Sequence, residues 1–205
     1  KGIRKLPPAH MAVCSAGEFK TWRYWQLNME EPGDPGSEEQ VLEELASIFD
    51  ESVRLRLISD VPLGAFLSGG VDSSAVVASM ALQNPASTVK TTSIGFSEKE
   101  FDELPFSKLV AEQYHTDHTE HVVQPDALSI LEDLVWHFDE PFADASAIPT
   151  YYVSKMARQQ VTVALSGDGG DETFAGYVQR YGMNRFEDGI RRRIPGLIRN
   201  TALKG

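Results

Sequence analysis

Two short strings in this sequence carry glycines, hydroxyls and acids at a spacing suited to polyphosphate chemistry. The first is Ser68-Gly69-Gly70-Val71-Asp72-Ser73-Ser74, directly after the apolar run 61–67. Two glycines let the backbone turn tightly and come close to a ligand. The residues behind them read as the opening of a helix, whose free N–H groups and dipole favour an anion. Ser68, Ser73 and Ser74 add hydroxyl donors. Asp72 is the odd member, since a carboxylate repels phosphate; it fits as a ligand of Mg2+ that bridges to phosphate oxygens. A plain strand–turn–helix with a Ser or Asp cap would explain a lone Gly-Gly with one Ser, but not the whole string behind an apolar strand. The string lacks the phosphate-binding Lys of a Walker loop, which excludes that class of NTPase.

The second string is Ser166-Gly167-Asp168-Gly169-Gly170-Asp171-Glu172, after the apolar run 161–165. It has the same logic: glycines for close approach, acids for a metal, a helix start behind. By itself it could be a calcium loop or an ordinary turn, although it lacks the alternating acids of an EF-hand. Paired with the first string it points to one site, with Asp72 and Asp171 approaching a single metal–pyrophosphate unit from two sides.

The elements that must hold these loops alternate. Apolar runs at 61–67, 89–95, 119–123 and 161–165 read as strands, and helical patterns fall at 73–82, 104–114, 125–138 and 151–159. Alternation of this kind predicts an α/β fold, a doubly wound and mostly parallel sheet with helices on both faces. With strand order 3-2-1-4, the order reverses between the first and fourth strands, and ligands bind at such a switch point, at the carboxyl ends of the strands. Both loops would then face one crevice. An amphipathic helix at 38–58 precedes the first strand, with Val41, Leu45, Ile48, Phe49 and Val53 at helical spacing and a Ser37/Gln40 capping box at its start. Residues 1–37 read as irregular, with a linker-like run 30–37 and a stretch at Trp22, Tyr24 and Trp25 that alternates like a short strand. The core domain is placed at 38–182, and 183–205 is a weaker extension in which Arg191-Arg192-Arg193 reads as a solvated stretch.

The net charge of −11 argues against nucleic acid and anionic membranes as large-area partners. No apolar run is long enough to span a bilayer. The single Cys14 excludes an intrachain disulfide framework, fits a reducing cytoplasm, and reads as a structural residue. His115, His118 and His121 recur every third residue, a spacing that in a strand puts His118 on the opposite face from the other two. Pocket-wall or surface roles suit them better than one shared metal. Trp22, Trp25 and Trp136 read as packing residues.

The string SGGVDSS resembles the pyrophosphate-binding loop of the N-type ATP pyrophosphatases, which include asparagine, GMP, NAD, argininosuccinate and tRNA-lysidine synthetases. SGDGGDETFAGY, with the segments 136–141 and 146–149 upstream, resembles the signature of asparagine synthetases in particular, and the resemblance covers about residues 38–182. It implies an adenine nucleotide alpha hydrolase-like fold, ATP and Mg2+ as cofactors, and a ligase that converts aspartate to asparagine through β-aspartyl-AMP with ammonia from glutamine. It further implies that Phe66 and Ile94 line an adenosine pocket, that Ser68, Gly69, Gly70, Asp72, Ser73 and Ser74 grip pyrophosphate, and that Ser166 and Gly167 contact ATP. Asp72 and Asp171 would hold the metal, and Asp168, where several members carry Glu, would stand near the reacting groups with Asp171. A homodimer of the full protein is compatible with it. Such enzymes begin with a glutaminase domain and carry a Lys region downstream; neither is matched here, so the chain is expected to be a piece that binds nucleotide without completing the reaction alone. A β-lactam-forming or peptide-modifying synthetase of the same fold remains open, as do a tRNA-directed branch and a truncated non-catalytic nucleotide-binding module.

Overall fold

The computed structural model describes residues 3–28, 36–97, 103–124, 126–178 and 181–183. The chain divides into two compact units, Lys1–Leu45 and Ala46–Gly205, with the division falling inside one helix.

The first unit contains a hairpin where irregular chain was expected. Strands β1 (His10–Ser15) and β2 (Glu18–Arg23) pair antiparallel, with Met11 opposite Trp22 and Ser15 opposite Glu18. The turn residues Ala16 and Gly17 both have positive φ, at 50° and 81°. That backbone suits a two-residue hairpin turn, because its twist matches that of the strands. Ala is a poor residue for it, which is why the turn gave no signal. Cys14 is exposed on β1, contrary to its structural reading. Trp22 and Trp25 are likewise largely exposed.

Helix α1 (Glu38–Arg56) starts with the expected capping box: Ser37 N–H donates to Gln40 Oε1 at 3.0 Å, and Gln40 N–H to Ser37 Oγ at 3.3 Å. Of its apolar stripe, Val53 is buried and Phe49 packs on the core, while Val41, Leu45 and Ile48 stay exposed.

The second unit is built on a four-stranded parallel sheet of β3 (Leu63–Phe66), β4 (Lys90–Phe96), β5 (Asp117–Val123) and β6 (Val163–Leu165), in the order β5-β4-β3-β6. This is the expected order, 3-2-1-4, with its reversal between β3 and β6. Helices α2 (Val71–Gln83), α3 (Leu104–Gln113) and α5 (Ala147–Ala157) pack against the sheet. The core gathers Val53, Ala65, Leu67, Val77, Met80 and Ala111, with Leu63, Val76, Val110 and Leu165 packed around them. β4 buries small hydroxyl residues, Thr91, Thr92 and Ser93, and the Ser93 hydroxyl donates to the Leu67 carbonyl. Leu67 N–H donates to Thr92 O at 3.0 Å, so the β3 end is tied to β4 just before the first glycine loop.

Two helices start four or more residues from their expected positions. The pattern 125–138 yields only α4 (Leu131–Phe138). Asp126 Oδ1 accepts from Leu128 N–H at 3.1 Å and Ser129 N–H at 3.2 Å, a local turn that competes with the helix. Helix α5 starts at Ala147, before the expected 151, because Pro149 sits in its first turn, where a missing N–H costs nothing. Trp136 on α4 is 78% exposed, so it is not the packing residue its type suggested. A short helix, α6 (Gly170–Phe174), follows β6. The extension 184–205, with its arginine run, and residues 29–35 of the linker lie outside the described residues. Among the described residues, no helix is long and apolar enough to cross a membrane.

Candidate active site

The first loop leaves β3 at Phe66 and enters α2 at Val71, two residues earlier than its periodicity suggested. Helix α2 opens at Gly70 without a side-chain cap hydrogen bond. Its first-turn N–H groups therefore remain available to a ligand. Hydroxyls brace the turn instead: Ser68 Oγ lies 2.9 Å from Ser73 Oγ and accepts from Gly70 N–H at 3.2 Å. Gly69 has φ +83°, and a Cβ there would strike Ser107 N and Phe106, so this turn admits glycine for both conformation and space.

The second loop leaves β6 at Leu165 and enters α6 at Gly170. Gly169 takes φ +92°. Ser166 Oγ donates to Asp168 Oδ2 at 2.9 Å, which holds that carboxylate over its own loop. Asp171 stands in the first turn of α6, and Gly176 folds back to donate its N–H to Asp171 O at 3.0 Å.

The loops touch. A Cβ on Gly167 would come within 2.7 Å of Ser73 N and 2.9 Å of Asp72 Cβ, and one on Gly170 would fall on the Asp72 carboxylate. Between them lies a cavity of about 640 Å³, lined by both strings at the point where the strand order reverses. Of the residues singled out in the sequence, Phe66, Ser68, Gly70, Asp72, Ser73, Ser166, Gly167, Asp168 and Asp171 line it. Gly69, Ser74 and Ile94 do not. Gly69 packs on the start of α3, Ser74 Oγ is enclosed without a hydrogen-bond partner among the described residues, and Ile94 is half-buried on β4 opposite His121. The wall also includes Thr150 and Val153 of α5, together with Phe174. Sequence reading missed these. Thr150 and Val153 are three apart on a helix and share a face, but nothing in their types marks them as pocket residues.

The volume falls within the range of about 300–1,000 Å³ usual for small-ligand sites. Three carboxylates, Asp72, Asp168 and Asp171, line a cavity that also offers a helix N-terminus and hydroxyls. Acids beside anion-binding N–H groups suit a metal-bridged polyphosphate better than either a bare anion or a bare cation. Among the described residues no three His, Cys, Asp or Glu side chains close on one point.

Residues 44–204 match the family model described as asparagine synthase. The chain is 42% identical over 177 residues to Asparagine synthetase (glutamine-hydrolyzing) 1 of Bacillus subtilis, covering 85% of this chain and 27% of that protein. It is 32% identical to Asparagine synthetase (glutamine-hydrolyzing) 3 of the same organism, over 86% of this chain and 31% of that protein. Amidase chyE of Penicillium rubens is 29% identical, over 86% of this chain and 29% of that protein. The chain thus spans about three-tenths of the length of these curated relatives. Among solved structures, the NH3-dependent NAD synthetase from Campylobacter jejuni aligns with a TM-score of 0.39 and 17% identity, over 68% of this chain and 60% of that one. The family model alone covers well over half of the sequence, and the chain belongs to the asparagine synthase family.

Proposed function

We propose that this chain is the nucleotide-binding core of an amide ligase that activates a carboxylate with ATP, releasing pyrophosphate, and passes the acyl adenylate to ammonia. The observation that carries the reading is the shared cavity between the two glycine loops. The carboxylate oxygen of the acceptor attacks the α-phosphorus of ATP, and the bond to the β-phosphate bridging oxygen breaks. Ammonia then adds to the acyl carbon, AMP leaves, and a proton is lost to give the amide.

In this reading the first-turn N–H groups of α2 and the hydroxyls of Ser68 and Ser73 hold the pyrophosphate. Phe66 and, on family resemblance, Ile94 border the adenosine. Ser166 and Gly167 contact the nucleotide from the second loop. Asp72 and Asp171 would hold Mg2+, which when bound neutralises phosphate charge. Asp168, braced by Ser166, faces the reacting groups. The chain's own contribution is positioning, since holding reactants in line supplies much of the rate in such transfers. The carboxylate is proposed to be aspartate, as the names of the relatives suggest, with ammonia drawn from a glutaminase domain of the same enzyme in the cytoplasm. A second reading is a ligase of the same fold that activates another carboxylic acid.

The test is acid-dependent pyrophosphate release. The protein is incubated with ATP, Mg2+ and ammonium, with aspartate or another carboxylic acid in turn, and the adenylate and amide are identified by mass. Release with aspartate alone supports asparagine synthesis. Release with another acid instead moves the chain to the second reading. No acid-dependent release in an enzyme that includes this core refutes both.

A further inference from the structure

Asp171 is seated against a glycine that lies outside both glycine strings. Helix α6 ends at Ala175, whose φ of 59° turns the chain back on itself. Gly176 then lies over the first turn of the same helix, where its N–H donates to the Asp171 carbonyl at 3.0 Å. The Tyr181 hydroxyl donates to that carbonyl at 3.5 Å. These contacts hold the Asp171 backbone, and its side chain is left facing the bare Cα of Gly176. A Cβ on Gly176 would fall on Asp171 Oδ1 and within 2.7 Å of Asp171 Cγ. Both residues line the nucleotide cavity.

Gly176 does not take a left-handed backbone, so its conformation admits any residue and only the space calls for glycine. The backbone approach is milder than the side-chain one. Asp171 Cα would stay 3.0 Å from the added carbon, so the carboxylate, the mobile end, is what must give way. We propose that Gly176 is the positioning residue for Asp171. Having no side chain, it leaves the carboxylate its place in the cavity wall, and a methyl there would turn that carboxylate away from a bound Mg-nucleotide. The inference rests on reading Asp171 as a Mg2+ ligand and adds the residue that sets its direction. Residues that orient a metal ligand without touching the metal typically carry about 10–100-fold of the metal affinity. Asp72 has a similar seat at Gly170, so each of the two acids is backed by a glycine of the segment after β6.

The test is calorimetric titration of the 205-residue chain with Mg2+ at fixed ATP, and with ATP in EDTA. Wild type, Gly176→Ala and Gly182→Ala are compared, each verified as folded by far-UV circular dichroism. The carboxyl carbon resonance of Asp171 is followed by NMR in the metal-free chain. Gly176→Ala should weaken Mg2+ binding about 10–100-fold, leave ATP affinity in EDTA unchanged, and shift the Asp171 carboxyl resonance. A Cβ on Gly182 meets nothing within 4 Å, so Gly182→Ala should change none of these. Unchanged Mg2+ affinity in Gly176→Ala, or an unmoved Asp171 resonance, overturns the proposal. So does an equal loss of ATP affinity with and without Mg2+, which would make Gly176 a wall against the nucleotide and not a seat for the acid. Any of these beside Mg2+-dependent binding by the wild type strikes Gly176 alone. Wild-type ATP binding that ignores Mg2+ removes the metal reading of Asp171 itself, and this proposal with it.

Discussion

The carboxylate of Asp72 fills the space that a side chain on Gly170 would need. One residue belongs to the loop after β3, the other to the loop after β6. Their contact is what makes two separate glycine strings into one site.

Two of the three glycines of the second loop, Gly170 and Gly167, should therefore respond differently to alanine. At Gly170 the added methyl meets the end of a side chain, which can swing aside. Gly170→Ala should leave stability within about 0.5 kcal/mol, as for substitutions outside the core, but displace Asp72 and weaken Mg-nucleotide binding. At Gly167 the methyl meets the Ser73 backbone nitrogen at 2.7 Å, which cannot move alone. Gly167→Ala should cost about 1–3 kcal/mol, the usual cost of overpacking. Urea unfolding of both variants beside nucleotide titration checks the contrast; equal stability loss in both would contradict it.

Ser93 is 3% exposed and its hydroxyl donates to the Leu67 carbonyl at the base of the first loop. Ser93→Ala should lower stability by about 1–3 kcal/mol, since a buried acceptor loses its partner. It should also speed amide exchange at Ser68 and Gly69. Unchanged exchange there would separate the hydroxyl from the loop.

His118 gives the fold a pH dependence of known sign. Its folded pKa is lowered by burial, so the unfolded chain binds the proton more readily. Its contribution is fully present above the ordinary histidine value of about 6.5 and is lost as pH falls through the lower folded value. Thermal melts from pH 7.5 downward should show Tm falling below about pH 6.5, and His118→Asn should flatten that slope. An identical slope in the variant would show that other groups carry it.

Much of this arrangement was legible in the sequence for physical reasons. Glycine strings behind apolar runs mark strand ends, and the alternation of elements admits few topologies, so the order 3-2-1-4 and the shared crevice followed. Asp72, Ser73, Gly167 and Asp171 stood out because their types conflict with a plain turn. Thr150 and Val153 did not, since ordinary helix residues acquire a pocket role only through packing. The β1–β2 hairpin hid behind an Ala-Gly turn, and α4 lost its first turns to Asp126, a competition that periodicity cannot register. Val41, Leu45 and Ile48 have the right spacing for burial, yet spacing says nothing about whether a covering surface exists.

The central claim is that the two loops hold one Mg-nucleotide between Asp72 and Asp171. It is tested most directly by calorimetric titration of the chain with ATP, with and without Mg2+, in wild type, Asp72→Asn and Asp171→Asn, each verified as folded. The account predicts Mg-dependent binding that weakens by at least about tenfold, about 1.4 kcal/mol, in either variant. Wild-type affinity in either variant, or a folded chain that binds no adenine nucleotide, would contradict it.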